Sequence, residues 1–367
     1  MKKQISMISS VVGVSALLVA CGDNENNAGN DQEPNDTGAD NTVNEENNND
    51  NANETADADH EFEEMVLQLG HTSPTSDDAQ YHQGALALAE YVEDETDGAV
   101  TIEIFPNSEL GGEREMLESL QLGNLDMTFF SSGPLGNFAD MANVFDFPFL
   151  FRDEDHAHAV LDGEIGDMVN EQAQESDIKI LAWGENGFRH ITNSERPVVT
   201  PEDLEGLDIR TMENEIHLSA FSAFGANPTP MAFPELFTAL QTGVMDGQEN
   251  PLSAIVPNSF YDVQSHITLS NHVYSPAPFI INEQIFNGFS PELQEVIQEG
   301  AYHARDFNRQ FIQDWNEDYL ETAIENGMEV VENDEFDYDA YFEATQEVYD
   351  EYQDEYGELF EQIQEVE

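Results

Sequence analysis

Seventy-seven Asp and Glu residues face only ten Lys and Arg in this chain, a formal net charge of −67. No other feature narrows more what it can fold into. Carboxylates at this density must stay solvated or meet one of the scarce cations, because burying an unpaired charge is too costly. Nucleic acid is excluded as a partner, since binding a polyanion takes a basic footprint. The acid runs along the whole sequence rather than gathering in one tail. With 39% hydrophobic and 10% aromatic residues the chain still has material for a core, unlike a wholly disordered acidic polymer. Its 367 residues are enough for two domains. Acidity spread so evenly suits a halophile-like surface. At about 1 M salt the Debye length falls to roughly 3 Å and self-repulsion is screened.

Residues 1–21 read as an export leader. Lys2 and Lys3 precede a mostly apolar run from Ile5 to Ala20, of signal-peptide length and too short for a confident membrane span. The leader ends in Leu18-Val19-Ala20-Cys21-Gly22, which resembles the lipobox of bacterial lipoproteins. That resemblance implies cleavage before Cys21 and lipidation of its sulfur, giving an extracytoplasmic protein anchored to a membrane at Cys21. Cys21 is the only cysteine, so no disulfide forms within the chain. Residues 22–61 are almost entirely Asn, Asp, Glu, Ala, Gly and Thr. They lack the apolar surface to offset ordering entropy, and the expectation is a disordered acidic tether.

From Glu63 the pattern changes. Met65 to Leu69 reads as a buried strand, residues 78–97 as an amphipathic helix with Tyr81, Leu86, Leu88, Ala89 and Val92 on or near its apolar face, and Val100 to Phe105 as an alternating strand. A helix over Glu113–Leu122 and a strand over Leu125–Phe130 follow. Further strands are expected at Ile178–Trp183 and Arg189–Thr192, and helices at Asn214–Phe224 and Phe233–Gln241. Ser290 to Asn326 is one long helical pattern with Gly300 as a place for a kink, and 334–365 a final acidic helix. The alternation predicts an α/β architecture with mostly parallel pairing.

Enzyme signatures are wanting. The only lysine past the leader is Lys179, inside a strand, so a phosphate loop fails for want of its Lys. Neither G-x-G-x-x-G nor G-x-S-x-G occurs. His156 and His158 are two apart, on different faces of a helix, and H-E-x-x-H is absent. No catalytic constellation, cofactor or metal is expected. Cations carry more information here. Past the leader they are Arg114, Arg152, Lys179, Arg189, Arg196, Arg210, Arg305 and Arg309. A chain that avoids basic residues keeps arginine where a planar fork must grip a carboxylate. Arg189 emerges from the Gly-rich run GENGFRH, and Arg210 closes PEDLEGLDIR at the edge of a predicted strand. Open α/β sheets place ligands at such strand ends. Downstream, Pro251 drives Asn250 out of the helical region in GVMDGQENP.

The runs GFRHITNSERPV, DLEGLDIRTM, AFGANPTPMAFPELFTALQTGVMDGQENP, FYDVQSHITLSNHVYSP and ELGGEREMLESLQLGNLDM resemble the solute-binding subunits of TRAP transporters. The resemblance covers the chain beyond the tether. It implies a two-lobed, periplasmic-binding-protein-like clamshell with several crossovers and a long spanning helix. Lobe 1 would be 62–187 plus 276–315, and lobe 2 would be 188–275 plus 316–367. It implies a receptor, not an enzyme, that binds a small organic acid and hands it to a TRAP-type permease. Arg210 would clamp the carboxylate, Arg189 would touch it a second time, Asn250 would reach it, and Phe233 would line the pocket. Glu113 falls at a polar pocket position. Ser131, Glu213 and Glu249 would shape the far end, with His71 and Thr72 at the first strand's tip. Arg114 is either a pocket residue or a structural pair. A binding protein of an ATP-driven transporter and a sensory co-receptor remain alternatives. The Glu- and Ser-lined remainder favours a sugar acid over a C4-dicarboxylate.

Overall fold

The computed structural model describes residues 62–366; the leader, Cys21 and the tether lie outside the described residues. The chain begins with β1 (Met65–Gly70), α1 (Gln80–Glu95), β2 (Val100–Phe105), α2 (Glu113–Gln121) and β3 (Met127–Phe129). After two 3-10 turns come α3 (Glu154–Leu161), α4 (Glu164–Gln174), β4 (Ile178–Phe188), β5 (His190–Asn193), β6 (Asp208–Thr211), α5 (Glu215–Ala223), β7 (Asn227–Pro230) and α6 (Phe233–Thr242). Then follow β8 (Gly247–Asn250), α7 (Leu252–Ile255), β9 (His266–Thr268), β10 (Tyr274–Asn282), α8 (Glu283–Gly288), α9 (Pro291–Glu325), β11 (Glu329–Val331), α10 (Tyr338–Glu351) and α11 (Gln353–Glu365).

These strands form two sheets, ordered β2-β1-β3-β10-β4 and β11-β9-β5-β8-β6-β7, and the fold is a two-lobed α/β clamshell. The mostly parallel pairing expected from the alternation holds only in part. β1 runs parallel to β2 and β3, and β6 parallel to β7 and β8. β10, however, is antiparallel to β3 and β4, and β5 is antiparallel to β8 and β9. The cause is the path of the chain. β4 ends at Phe188 in one sheet and β5 starts at His190 in the other, so strands that cross over enter against the local direction.

Boundaries follow side-chain chemistry. α1 buries Ala85, Leu88 and Val92 on one stripe. Asn214 caps α5, its side chain accepting from the N–H groups of Ile216 at 2.9 Å and His217 at 3.2 Å. Ser290 caps α9, whose first residue is Pro291. α9 is one 35-residue helix, about 52 Å long at the α-helical rise. Gly300 sits where α9 meets α1: a Cβ there would lie 3.0 Å from the Tyr91 ring and 3.1 Å from Leu88. Leu293, Ile297, Ala301 and Ala304 of α9 join the core under the first sheet, while Tyr319 and Ala323 join a core under the second.

Four expectations are corrected. β3 is shorter than Leu125–Phe130, and β4 continues past Trp183 to Phe188, because β10 pairs with it along that whole length. The final helix is two helices, broken at Tyr352, where φ is −103° and ψ 10°. Tyr349 precedes the break and Tyr356 and Phe360 follow it, and all three rings pack around Phe147. α11, assigned with 316–367 to the second lobe, packs Leu359, Phe360 and Ile363 into the first sheet's core. No helix among the described residues is long and apolar enough to cross a membrane.

Candidate functional site

The two sheets meet across a cavity. Thr72, Tyr81, Glu113, Ser131 and Asn186 line it from the first sheet's side; Arg210, Met212, Phe233, Asn250 and Ala254 line it from the second's. Thr72 and Ser131 lie just beyond the ends of β1 and β3, Met212 just beyond β6, and Asn250 ends β8. These are the C-terminal ends of strands, where loops can present side chains without breaking the sheet. The cavity volume is about 10 Å³, room for about one water molecule.

Arg210 is the only cation among the lining residues. It is 1% exposed. Its Nε donates to the Met231 carbonyl at 2.9 Å, and its guanidinium lies 5.9 Å from the centroid of the Phe233 ring. Its Nη1 is buried with no hydrogen-bond partner. Burial pushes its pKa down to about 10, against the pull of Glu113 and Glu249, so it stays charged at neutral pH. Glu113, at the start of α2, is 6% exposed. Burial raises its carboxyl to about 7, opposed by Arg210 and Arg189. The remaining lining is polar and partly committed. Ser131 Oγ lies 2.9 Å from Ser275 Oγ, and Asn186 Oδ1 accepts from Gln80 Nε2 at 2.6 Å. The far side of Asn250 is fixed, its Nδ2 donating to Gln248 Oε1 and its Oδ1 accepting from Arg189 Nη2 at 3.1 Å.

Arg189 is placed behind the lining rather than in it. Fully buried, it donates from Nε and Nη2 to the Glu249 carboxylate, the Nη2 contact being 2.8 Å, and from Nη2 to the Glu249 carbonyl at 2.6 Å. Its Nη1 is buried and unpartnered. Glu249 therefore does not shape the far end of the cavity. It is the counterion that positions Arg189, with His272 Nε2 at 3.3 Å and His217 Nδ1 at 3.4 Å. Burial alone raises such a carboxyl, but Arg189 and His217 hold Glu249 well below its usual range. His217 in turn meets Asp146 at 3.1 Å; burial lowers its pKa, but Glu249 and Asp146 overcome that and raise it.

Glu213 and His71 also lie off the cavity wall. The Glu213 carboxylate is 3.9 Å from Arg114, and its carbonyl accepts from Asn137 Nδ2 at 2.9 Å. Arg114 itself pairs with Glu118 one turn along α2 at 3.2 Å and is half exposed, a structural pair. His71 Nε2 is 3.2 Å from His82 Nδ1, and burial pushes its pKa down to about 3. His156 and His158 go separate ways, to the Ile363 carbonyl at 2.9 Å and the Glu185 carboxylate at 2.7 Å. The sequence reading missed Tyr81, Asn186, Met212, Ser73 and Asn258, which all line the cavity. Tyr81 reads as a core residue because its ring packs on Phe129 at 5.2 Å, while its edge reaches the site. Asn186 lies inside GENGFR, so the motif marked the segment but not the residue.

The chain has counterparts among known proteins. A sequence model of the bacterial extracellular solute-binding protein family 7 matches residues 69–355. A solute-binding protein from Verminephrobacter eiseniae is 45% identical over 69% of this chain and 76% of its own. The 2,3-diketo-L-gulonate-binding periplasmic protein of Escherichia coli is 36% identical over 72% of this chain and 80% of its own. Among solved structures, a TRAP periplasmic solute-binding protein from Polaromonas sp. JS666 bound to D-erythronate superimposes with a TM-score of 0.80. It is 42% identical and covers 83% of this chain and 99% of that one.

Proposed function

We propose that this chain, which belongs to the bacterial extracellular solute-binding protein family 7, binds a small hydroxylated monocarboxylate between its lobes and delivers it to a TRAP-type membrane permease. The protein is a binding component of a transport family, not an enzyme. One observation carries the ligand class: Arg210 is a buried guanidinium with an unpartnered Nη1, facing Glu113 across a lining that holds no second cation. A buried donor without an acceptor costs on the order of 1–3 kcal/mol. A ligand carboxylate supplies that acceptor with charge-assisted bonds. Asn250 stands beside it, its Oδ1 accepting from Arg189 Nη2 behind the lining.

Selectivity follows from the rest of the lining. A C4-dicarboxylate would set its second charge among Glu113, Ser131, Thr72 and Asn186 with no cation to receive it. Ligand hydroxyls can donate to Glu113 and exchange hydrogen bonds with the others. D-erythronate and 2,3-diketo-L-gulonate, named for two of the relatives, are acids of that kind and support the reading.

A cavity of about 10 Å³ cannot admit such a molecule. Entry needs the lobes, 62–187 plus 276–315 together with α11, and 188–275 plus the rest of 316–367, to part about the β4–β5 crossover. The leader's resemblance to a lipobox supports anchoring at Cys21 on the outer face of the membrane. The test is calorimetry in high salt. D-erythronate should bind and succinate should bind at least about tenfold more weakly. Arg210→Lys should lose at least about tenfold in affinity, because an ammonium does not reproduce the fork. Unchanged affinity in that variant removes Arg210 from the site.

A further inference from the structure

Asn186 faces two cavities. Besides the one beside Arg210, it lines a second, of about 280 Å³, together with Glu185, His190, Pro251, Ser253 and one side of α9. The floor of this second cavity is built from buried polar groups. Glu185 is 2% exposed and His190 7%. Glu185 commits Oε2 to His158 Nε2 at 2.7 Å, which leaves Oε1 to accept from an occupant. The His190 ring carries a buried Nδ1 with no hydrogen-bond partner. Burial pushes that imidazole down to about 3, with His272 and Arg189 adding to the effect. It is therefore neutral at physiological pH and keeps a lone pair to accept with.

The charged residues that line this floor have one sign, and Arg189 behind His190 is already matched by Glu249. Glu154, in the first turn of α3, and Glu317, on α9, stand among the lining residues with Glu185, and neither Lys nor Arg is among them. Apolar Ile312, Leu252 and Leu320 supply the remaining wall. A cavity with this lining attracts a cation, offers acceptors to its N–H groups and has apolar surface for a carbon chain. Its volume exceeds by far the roughly 10–15 Å³ that one water needs. A bare metal ion does not fit the arrangement, because no group of three His, Cys, Asp or Glu among the described residues is close enough to hold one.

We propose that this cavity is a binding site for a small organic ammonium ion, which donates hydrogen bonds to Glu185 Oε1 and to the His190 ring while its carbon chain lies against Ile312 and Leu320. The site is separate from the organic-acid cavity, and its existence does not depend on which acid binds there. Nonspecific attraction of cations to so acidic a surface is the competing account, and salt distinguishes the two. Surface attraction is screened at about 1 M salt, and a buried pair is screened much less.

The experiment is calorimetry on the full chain in about 1 M NaCl, with 1,4-diaminobutane as probe and 1,4-butanediol as its uncharged counterpart. The expected result is saturable one-site binding of the diamine and none of the diol. Glu185→Gln should weaken the diamine by about tenfold or more, since a charge-assisted bond becomes a neutral one, and Glu93→Gln, on the exposed side of α1, should leave it unchanged. Circular dichroism checks that Glu185→Gln folds. If it does not, Glu317→Lys at the exposed mouth carries the test and should abolish diamine binding. The proposal is overturned by the absence of saturable binding in high salt, by equal binding of diol and diamine, or by Glu93→Gln weakening binding as much as Glu185→Gln. It is also overturned by unchanged binding in whichever of Glu185→Gln and Glu317→Lys folds.

Discussion

Two arginines of similar sequence context do different work, and the difference lies in what each touches. Arg189 is matched by Glu249 through paired hydrogen bonds, so its charge is balanced inside the protein. Arg210 has one backbone carbonyl and an aromatic face, with Glu113 as its most influential carboxyl. Glu113 makes a testable contribution of its own. Burial raises its folded-state pKa from 4.5 to about 7. Its stabilising contribution is therefore complete below about pH 4.5 and is lost as pH rises through about 7. The loss is on the order of 3 kcal/mol at 1.36 kcal/mol per pK unit. Chemical denaturation at pH 5 and pH 8 should show the wild type losing about that much more stability than Glu113→Gln. Equal losses in the two proteins would mean that the carboxyl is not buried in the unliganded fold.

Among the elements, β4 carries most of the functional geometry. It brings Glu185 and Asn186 to the two cavities and hands the chain to β5 through Arg189 alone. Gly187 makes that passage possible. Its φ is +110°, a conformation open to glycine and strained for other residues. Space is not the issue, since an added Cβ would meet only Pro251 at 3.6 Å and Glu185 Oε1 at 3.8 Å. Gly187→Ala should therefore cost about 1–3 kcal/mol through backbone strain alone, read as a lower urea midpoint with an unchanged slope. A midpoint equal to wild type would show that the crossover relaxes without cost. α9 supplies the complementary constraint. It packs into the cores under both sheets, so the lobes move relative to one another only as far as it and the crossing strands permit.

At the scale of the whole molecule the governing quantity is the net charge of −67. Self-repulsion of that size opposes the compact state in dilute buffer. It also repels an anionic ligand at long range, although contacts inside the cleft are screened far less than those on the surface. The thermal midpoint should rise by several degrees between dilute buffer and about 1 M NaCl, as surface repulsion is screened within roughly 3 Å. A scanning calorimetry series in NaCl measures this. Equal midpoints across the series would refute the reading of a surface adapted to salt. Association with the organic acid should also quicken with salt, opposite in sign to the usual case of oppositely charged partners.

The sequence by itself determined what is local. Alternation gave β2 over Val100–Phe105. Helical patterns beginning at Asn214 and Ser290 located α5 and α9, and the scarcity of cations singled out Arg189 and Arg210 before any fold was known. It also placed Glu113, Ser131, Thr72, Phe233 and Asn250, through motif resemblance, among residues that do meet at one cavity. Tertiary structure alone decided which charged groups meet. Glu213, Glu249 and His71 lie beside site residues in the chain yet turn away from the cavity. Tyr81 and Asn186 face it although no local pattern assigns either side chain to a site. Local sequence sets the course of the backbone, but whether a buried side chain faces a counterion or an open cavity depends on which strands are brought together. Antiparallel β10 and β5 pair with strands dozens of residues away along the chain, beyond the reach of any short-range pattern.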